Sequence, residues 1–485
     1  TCPWLAVSSD DWISITSGPS GTGNGTINFS VAATSGVTRR GTIRVGSQTF
    51  IITQIGPASG NGLMFYPLAY PIRLLETRDN PNYPGCYKPN APITGGTART
   101  QLARVTCDGL TIPGNAAAIT GNITVVNASA GSLTLYASDI SKPNTENSNF
   151  NTNEITNNVF TVALGAGDGA FKIHPSATTD VIVDVTGYYA PPGVGGLYFH
   201  PLPQPIRLLE TRADFPTFPL RGCYRPNAQL IGTYNPYADP NLDHIQQGRS
   251  PLTCVMTVPA DIPASAQLLV GNATNANTVG GGWFTFYPSN ASRSLIASSN
   301  YAGGDNINGP FTVRLGADGK FKIYTFATTD VIIDILGYFS AEAFDVSGAG
   351  LLFNPLSKPV RLLETRNNAS LPGCDKPNVP IAGGDAGVRS QGTWGSCESV
   401  TLPGQAAAIV GNATVTEQAA AGYLTLWPGN IENPPLVATS NYPASSPNGY
   451  NRHFFVGLSP SDGTFKIFSQ FTTNLRVDVS GYFAP

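Results

Sequence analysis

A chain of 485 residues with a net charge of −3 and only 12% charged side chains carries no broad basic face, which argues against nucleic acid as a partner. Its 41% hydrophobic content suits a folded protein of three or four domains, yet no run of about 18 apolar residues exists to span a membrane. Gly (53) and Pro (40) are abundant, β-branched and aromatic residues crowd the apolar stretches, and no long segment has helical apolar spacing, so the chain reads as all-β.

Residues 1–57 form a unit of their own. Trp4-Leu5-Ala6-Val7, Trp12-Ile13-Ser14-Ile15, Ile27-Asn28-Phe29-Ser30-Val31, Gly41-Thr42-Ile43-Arg44-Val45 and Phe50-Ile51-Ile52-Thr53-Gln54 alternate as half-buried strands separated by Ser, Gly, Asn and Asp. The opening Trp-Leu, Arg39-Arg40-Gly41-Thr42-Ile43 and the closing Gln-Thr-Phe-Ile-Ile-Thr-Gln strand together resemble the bacterial immunoglobulin-like BACON module. That resemblance implies a small Ig-like fold, a secreted bacterial setting and, by analogy, carbohydrate binding. The chain starts at Thr1 with no initiator Met, basic leader or hydrophobic signal core, as expected of a processed secreted protein or of a trimmed chain.

A Gly-rich joint, Gly56 to Gly62, leads into a module written three times, at 63–190, 197–340 and 351–485. Each copy opens on an aromatic-x-Pro phrase (Phe65, Phe199, Phe353) and the sequence Pro-Ile/Val-Arg-Leu-Leu-Glu-Thr-Arg. Gly-Cys and Lys/Arg-Pro-Asn follow. Later come Gly-Asn at Gly121, Gly271 and Gly411, then Asp-Gly at Asp168, Asp318 and Asp462, a strong hairpin signal. A closing strand ends in Gly-Tyr-Tyr or Gly-Tyr-Phe. Units this long are whole domains, so solenoid and propeller architectures are excluded, and each copy is expected to be an antiparallel β-sandwich. These phrases are similar to repeats of large secreted bacterial proteins, a resemblance that brings no catalytic motif with it.

Each copy holds two cysteines, Cys86 and Cys107, Cys223 and Cys254, Cys374 and Cys397. No CxxC or nearby His pair completes a zinc site, so a disulfide within each repeat is the economical reading. Each bridge would contribute roughly 3 kcal/mol and implies an oxidising, extracellular setting. Cys2 is left over; it is either a free thiol or, with Trp4 in the first strand, part of a contact to another chain.

The charged motif residues are the most evident candidate site: Arg73, Glu76 and Arg78; Arg207, Glu210 and Arg212; Arg361, Glu364 and Arg366. Asp184, Asp334 and Asp478 in the closing strands are positioned to meet them. An acid/base or anion site is one reading, and an internal ion-pair network joining first strand to last is the favoured one. The histidines fall at unmatched positions, so no Ser-His-Asp set recurs and no enzyme is expected. Asn144 to Asn158 reads as a polar loop before a calcium site, and no metal or other cofactor is expected. The Asn-x-Thr phrases at Asn122, Asn272 and Asn412 fit a glycosylation pattern only weakly.

Tyr136, Tyr287 and Trp427 occupy one position in the three copies, opposite the leucine face of their strand. They are read either as outward rings for sugar or subunit contact, or as a second packed layer. The favoured function is an extracellular rod of four β-domains that self-associates head to tail into a bacterial surface filament or layer. The runner-up is a secreted carbohydrate-binding adhesin.

Overall fold

The computed structural model describes residues 3–33, 39–46, 48–54, 62–126, 129–213, 222–249, 262–294, 296–304, 306–368 and 370–485. It is all-β: strands make up 54% and no α-helix occurs among the described residues. No helix there is long and apolar enough to cross a membrane. The chain divides into two compact units, Thr1–Gly62 and Leu63–Ala484.

In the N-terminal unit, Pro3–Ser8 lies between Ser20–Thr22 and Arg39–Val45, with Gln48–Gln54 beyond, and Ile13–Ser17 pairs with Asn28–Val31. Ala6, Ile13, Ile43 and Ile52 make its small core. Alternation sends Leu5 and Val7 to the opposite face of their strand from Ala6, where they are 59% and 54% exposed. The joint at 55–61 lies outside the described residues.

Each of the three repeats is a sandwich of two four-stranded antiparallel sheets. In the first, one sheet runs Met64–Glu76, Asp180–Ala190, Ala118–Val126, Thr156–Ala163. The other runs Arg99–Leu102, Ala170–Pro175, Gly131–Ala137, Ser148–Phe150. Counting these eight strands along the chain, the orders are 1-8-3-6 and 2-7-4-5, which is jelly-roll topology. The second and third repeats have the same order, with opening strands Tyr198–Glu210 and Leu352–Glu364 and closing strands Asp330–Ser340 and Asn474–Ala484. The motif glycines have steric causes. Gly169, Gly319 and Gly463 take left-handed φ at the Asp-Gly turns. At Gly121, Gly271 and Gly411 the closing strand bulges, and a Cβ would run into the carbonyl of Asp184, Asp334 or Asp478.

The repeats are not strung out as a rod. Each has its own core, but a further apolar core draws on all three, from Leu63, Phe65 and Tyr189 through Phe199 and Phe339 to Phe353 and Phe483. The starts of the three opening strands pair in a cycle, Phe65 with Leu197, Phe199 with Leu351, Phe353 with Leu63. Reciprocal backbone hydrogen bonds of 2.8–3.0 Å make each link. Ring contacts follow the same cycle: Phe65–Phe339 at 4.7 Å, Phe199–Phe483 at 4.6 Å and Tyr189–Phe353 at 4.3 Å between centroids. Residues 63–484 thus form a closed pseudo-threefold body. The physical reason is that the aromatic-x-Pro and Gly-Tyr-aromatic phrases place large rings at one end of each sandwich, where that sandwich alone cannot cover them.

Residues 63–484 are therefore expected to unfold in one cooperative transition. Phe483→Ala should destabilise that transition by about 3–5 kcal/mol, as for other fully buried aromatic truncations. Differential scanning calorimetry checks this; three resolved transitions for these residues in the unaltered protein would contradict a shared core.

Candidate functional site at the seams between repeats

The opening strand carries Arg73 and Glu76 on one face, and antiparallel register puts Asp184 of the closing strand directly opposite Arg73. Arg73 donates from Nε and Nη2 to the two Asp184 oxygens at 2.9 and 3.3 Å, and from Nη1 to Glu76 at 3.3 Å. Arg78 closes on Glu76 through Nε and Nη2 at 2.8 and 2.7 Å. The second repeat has the same set, with Arg207 on Asp334 at 2.9 Å and Arg212 on Glu210 at 2.8 Å. So does the third, with Arg361 on Asp478 and Arg366 on Glu364, both at 2.8 Å. Glu76, Glu210 and Glu364 are fully buried, and the three aspartates nearly so. Burial lifts the carboxyl pKa of each aspartate, and the facing guanidinium only partly offsets this. Burial works against the charge on Arg73, Arg207 and Arg361 too, but their aspartates outweigh it and raise the guanidinium pKa. The carboxylates, held by their arginines and almost wholly buried, fix geometry and lack the solvent access that acid/base chemistry needs.

The same carboxylates reach the neighbouring repeat. Asp334 accepts the Ala438 backbone N–H at 3.1 Å and Asp478 that of Glu146 at 2.9 Å. Beside them runs a cyclic asparagine set. The backbone N–H of Asn300 donates to Asn157 Oδ1, Asn441 to Asn308 and Asn149 to Asn451, at 2.7, 2.7 and 3.0 Å. Each link joins one repeat to the next and the third returns to the first. Asn122 donates to the Ala297 and Ser298 carbonyls, and Asn272 to that of Ala438. Asn412 accepts from Asn158. The Asn-x-Thr asparagines are thus buried seam residues (5%, 0% and 3% exposed), not glycan acceptors of the folded protein. The Asn144 to Asn158 stretch likewise builds the seam between the first and third repeats.

Sequence reasoning missed this set. The signal was present: Ser-Asn-aromatic recurs at Ser148-Asn149-Phe150, Ser299-Asn300-Tyr301 and Ser440-Asn441-Tyr442, and Asn157, Asn308 and Asn451 each lie three residues before a buried Phe. Those recurrences mark places where a strand end must satisfy a partner backbone.

The rings offered as outward contacts are corrected. Tyr136 and Tyr287 are each 4% exposed and Trp427 is fully buried. In the second repeat the inserted loop meets Tyr287, and in the third the loop after the strand meets Trp427. Tyr287 donates to Asp243 at 2.5 Å, Asp243 is held by Arg293, and Trp427 Nε1 donates to the Ile431 carbonyl at 3.0 Å. Trp4 packs against Gly21 and Gly25 of its own unit and donates to the Gly23 carbonyl at 2.8 Å. Cys86–Cys107 and Cys374–Cys397 are disulfides, and Cys223 is disulfide-bonded. Cys254 and Cys2 lie outside the described residues. The one group of three potential metal ligands among the described residues, Cys86, Cys107 and Asp108, contains the first disulfide and leaves no thiolate for a metal.

A Ser-His-Asp arrangement does occur among the described residues. Ser340 Oγ lies 3.2 Å from His200 Nε2, and His200 Nδ1 lies 3.2 Å from Asp345. Ser340 and His200 are both fully buried, and Nε2 also lies 2.9 Å from the Glu342 carbonyl, which requires it to carry the proton. With Nε2 donating to that carbonyl it takes no proton from Ser340, so the cluster fastens the connector before the third repeat.

Neither a protein-family model nor a curated protein matches the chain. Among solved structures it aligns with one of Sulfolobus turreted icosahedral virus, at 10% identity over 91% of this chain and 90% of that chain, TM-score 0.16. It also aligns with a triple jelly-roll protein of an archaeal virus turret assembly, at 10% identity over 87% and 91%, TM-score 0.15.

Two measurements follow from this geometry. Asp478→Ala leaves Arg361 without its bidentate partner and should cost roughly 3–5 kcal/mol in thermal or denaturant unfolding, whereas replacing Arg361 and Asp478 together by apolar residues of similar volume should cost far less. His453, buried at the seam between the first and third repeats, has its imidazole pushed by burial from 6.5 down to about 3. Its neutral form is the one the fold accepts, so its contribution is intact above about pH 6.5 and is lost as pH falls towards 3, at roughly 1.4 kcal/mol per pH unit. The difference in melting temperature between the unaltered protein and His453→Asn should therefore depend on pH below 6.5 and be flat above it.

Proposed function

We propose that this chain is an extracellular structural protein, a subunit of a bacterial surface filament or layer. The observation that supports it best is the closed body itself: the motif rings, the recurring asparagines and the carboxylates of Asp334 and Asp478 join three jelly rolls into one block. The disulfides fit an oxidising compartment. No catalytic role is assigned to any residue.

In this reading the block is the brick and the N-terminal unit, read as BACON-like, supplies the connector. Head-to-tail contact between copies needs a surface that the cycle of repeats has not already used. Leu5 and Val7, side by side on one strand face and more than half exposed, are such a surface. The adhesin alternative loses the residues first offered for it, since Tyr136, Tyr287 and Trp427 are buried.

Negative-stain microscopy of the purified protein should show filaments or sheets, and Leu5→Asp with Val7→Asp should leave single particles of unchanged melting temperature. Discrete particles at every concentration, together with selective binding on a glycan array, would favour the adhesin.

A further inference from the structure

The three seams are built alike but are not filled alike. Between the second and third repeats lies a cavity of about 270 Å³ lined by Arg207 and Arg212 on one side and Tyr423, Ala438 and Asn441 on the other, with Ile332 on its wall. Arg212 is 26% exposed, so solvent reaches it, and its Nε and Nη2 are engaged by Glu210 while Nη1 has no hydrogen bond to any of the described residues.

The corresponding seam between the third and first repeats shows what this place accepts. Ala438 and Glu146 are equivalent, because each gives its backbone N–H to the Asp of the preceding repeat. Ile332 and Arg476 are equivalent by register, each two residues before that Asp and opposite Thr274 or Thr414. In that seam the Glu146 carboxylate sits beside the arginine pair and is bridged by Arg476 at 2.7 Å. Burial opposes the charge on Arg361, but Asp478 and then Glu146 and Glu364 prevail and raise its pKa. Glu146 also helps to hold Arg366 charged, after Glu364. In the seam between the second and third repeats both the carboxylate and its extra arginine are gone, replaced by Ala438 and Ile332, while Arg207 and Arg212 remain.

We propose that the cavity binds a small monocarboxylate with a flat apolar body, its carboxylate taken by Arg212 and its body lying between Ile332, Ala438 and the Tyr423 ring. The walls are mainly aliphatic, which selects against a polyhydroxylated ligand. The volume is ample for one ring with a short acid arm, since an apolar cavity of ~150 Å³ already takes benzene. A carboxylate offers an acceptor to the solvent-facing side of the Arg212 guanidinium. The site goes beyond the structural role proposed above and does not depend on it.

Titration calorimetry and ligand-observed NMR on the full-length protein, with phenylacetate as probe and benzyl alcohol and glucuronate as comparators, test it. Phenylacetate should saturate one site, with benzyl alcohol and glucuronate each at least tenfold weaker. Arg212→Gln should weaken phenylacetate at least tenfold. Ile332→Arg with Ala438→Glu, which rebuilds the filled seam in place of the cavity, should abolish binding while leaving the melting temperature equal or higher. Absence of saturable phenylacetate binding to the unaltered protein, equal binding of benzyl alcohol, preference for glucuronate, or full binding by the double variant would each overturn the proposal.

Discussion

Everything in the 63–484 body depends on a closure condition. Three jelly rolls each expose a pair of rings and one short stretch of unpaired backbone at the start of the opening strand. Only a threefold cycle satisfies all of them at once, because Phe65 needs Leu197, Phe199 needs Leu351 and Phe353 needs Leu63. Two repeats arranged in this way would leave both Leu63 and Phe199 without their backbone partners. A like contact that did not close would continue as a fibre; here it is exhausted within one chain. Any larger assembly must therefore use other surfaces.

The second layer of this closure is polar. A buried guanidinium–carboxylate pair offers little net stability, since burial lifts the aspartates' pKa even with an arginine alongside. Its value is directional. The arginine takes both oxygens of the aspartate, and in two seams one of those oxygens also accepts a backbone N–H from the next repeat, so an error in strand register would break the seam as well. The asparagine cycle does the same work through neutral groups. Apolar burial drives the three sandwiches together, and these pairs decide how they sit.

Much of this was legible in the residues alone. The triple recurrence gave the copies, the cysteine spacing suggested a bridge within each, and Arg73 opposite Asp184 followed from treating first and last strands as neighbours. What could not be read was the difference between an inside and an outside that lies between copies. Tyr136, Tyr287 and Trp427 alternate with core leucines or phenylalanines as solvent-facing residues would, yet all three are buried. Asn122 and Phe65 look equally like surface and edge residues of a lone sandwich, because sequence periodicity reports the packing of a strand in its own sheet and carries no mark of a neighbouring domain.

Fusion of the copies into one polypeptide has a final consequence. In a homotrimer of identical subunits, any replacement at the position of Glu146 would appear in all three interfaces at once. Here the equivalent positions hold Glu146, Ala297 and Ala438, so the bridge from Arg476 to Glu146 has no counterpart at the two alanine positions. Covalent linkage frees each junction to diverge alone, and a molecule with the geometry of a trimer can present a feature that exists in a single copy.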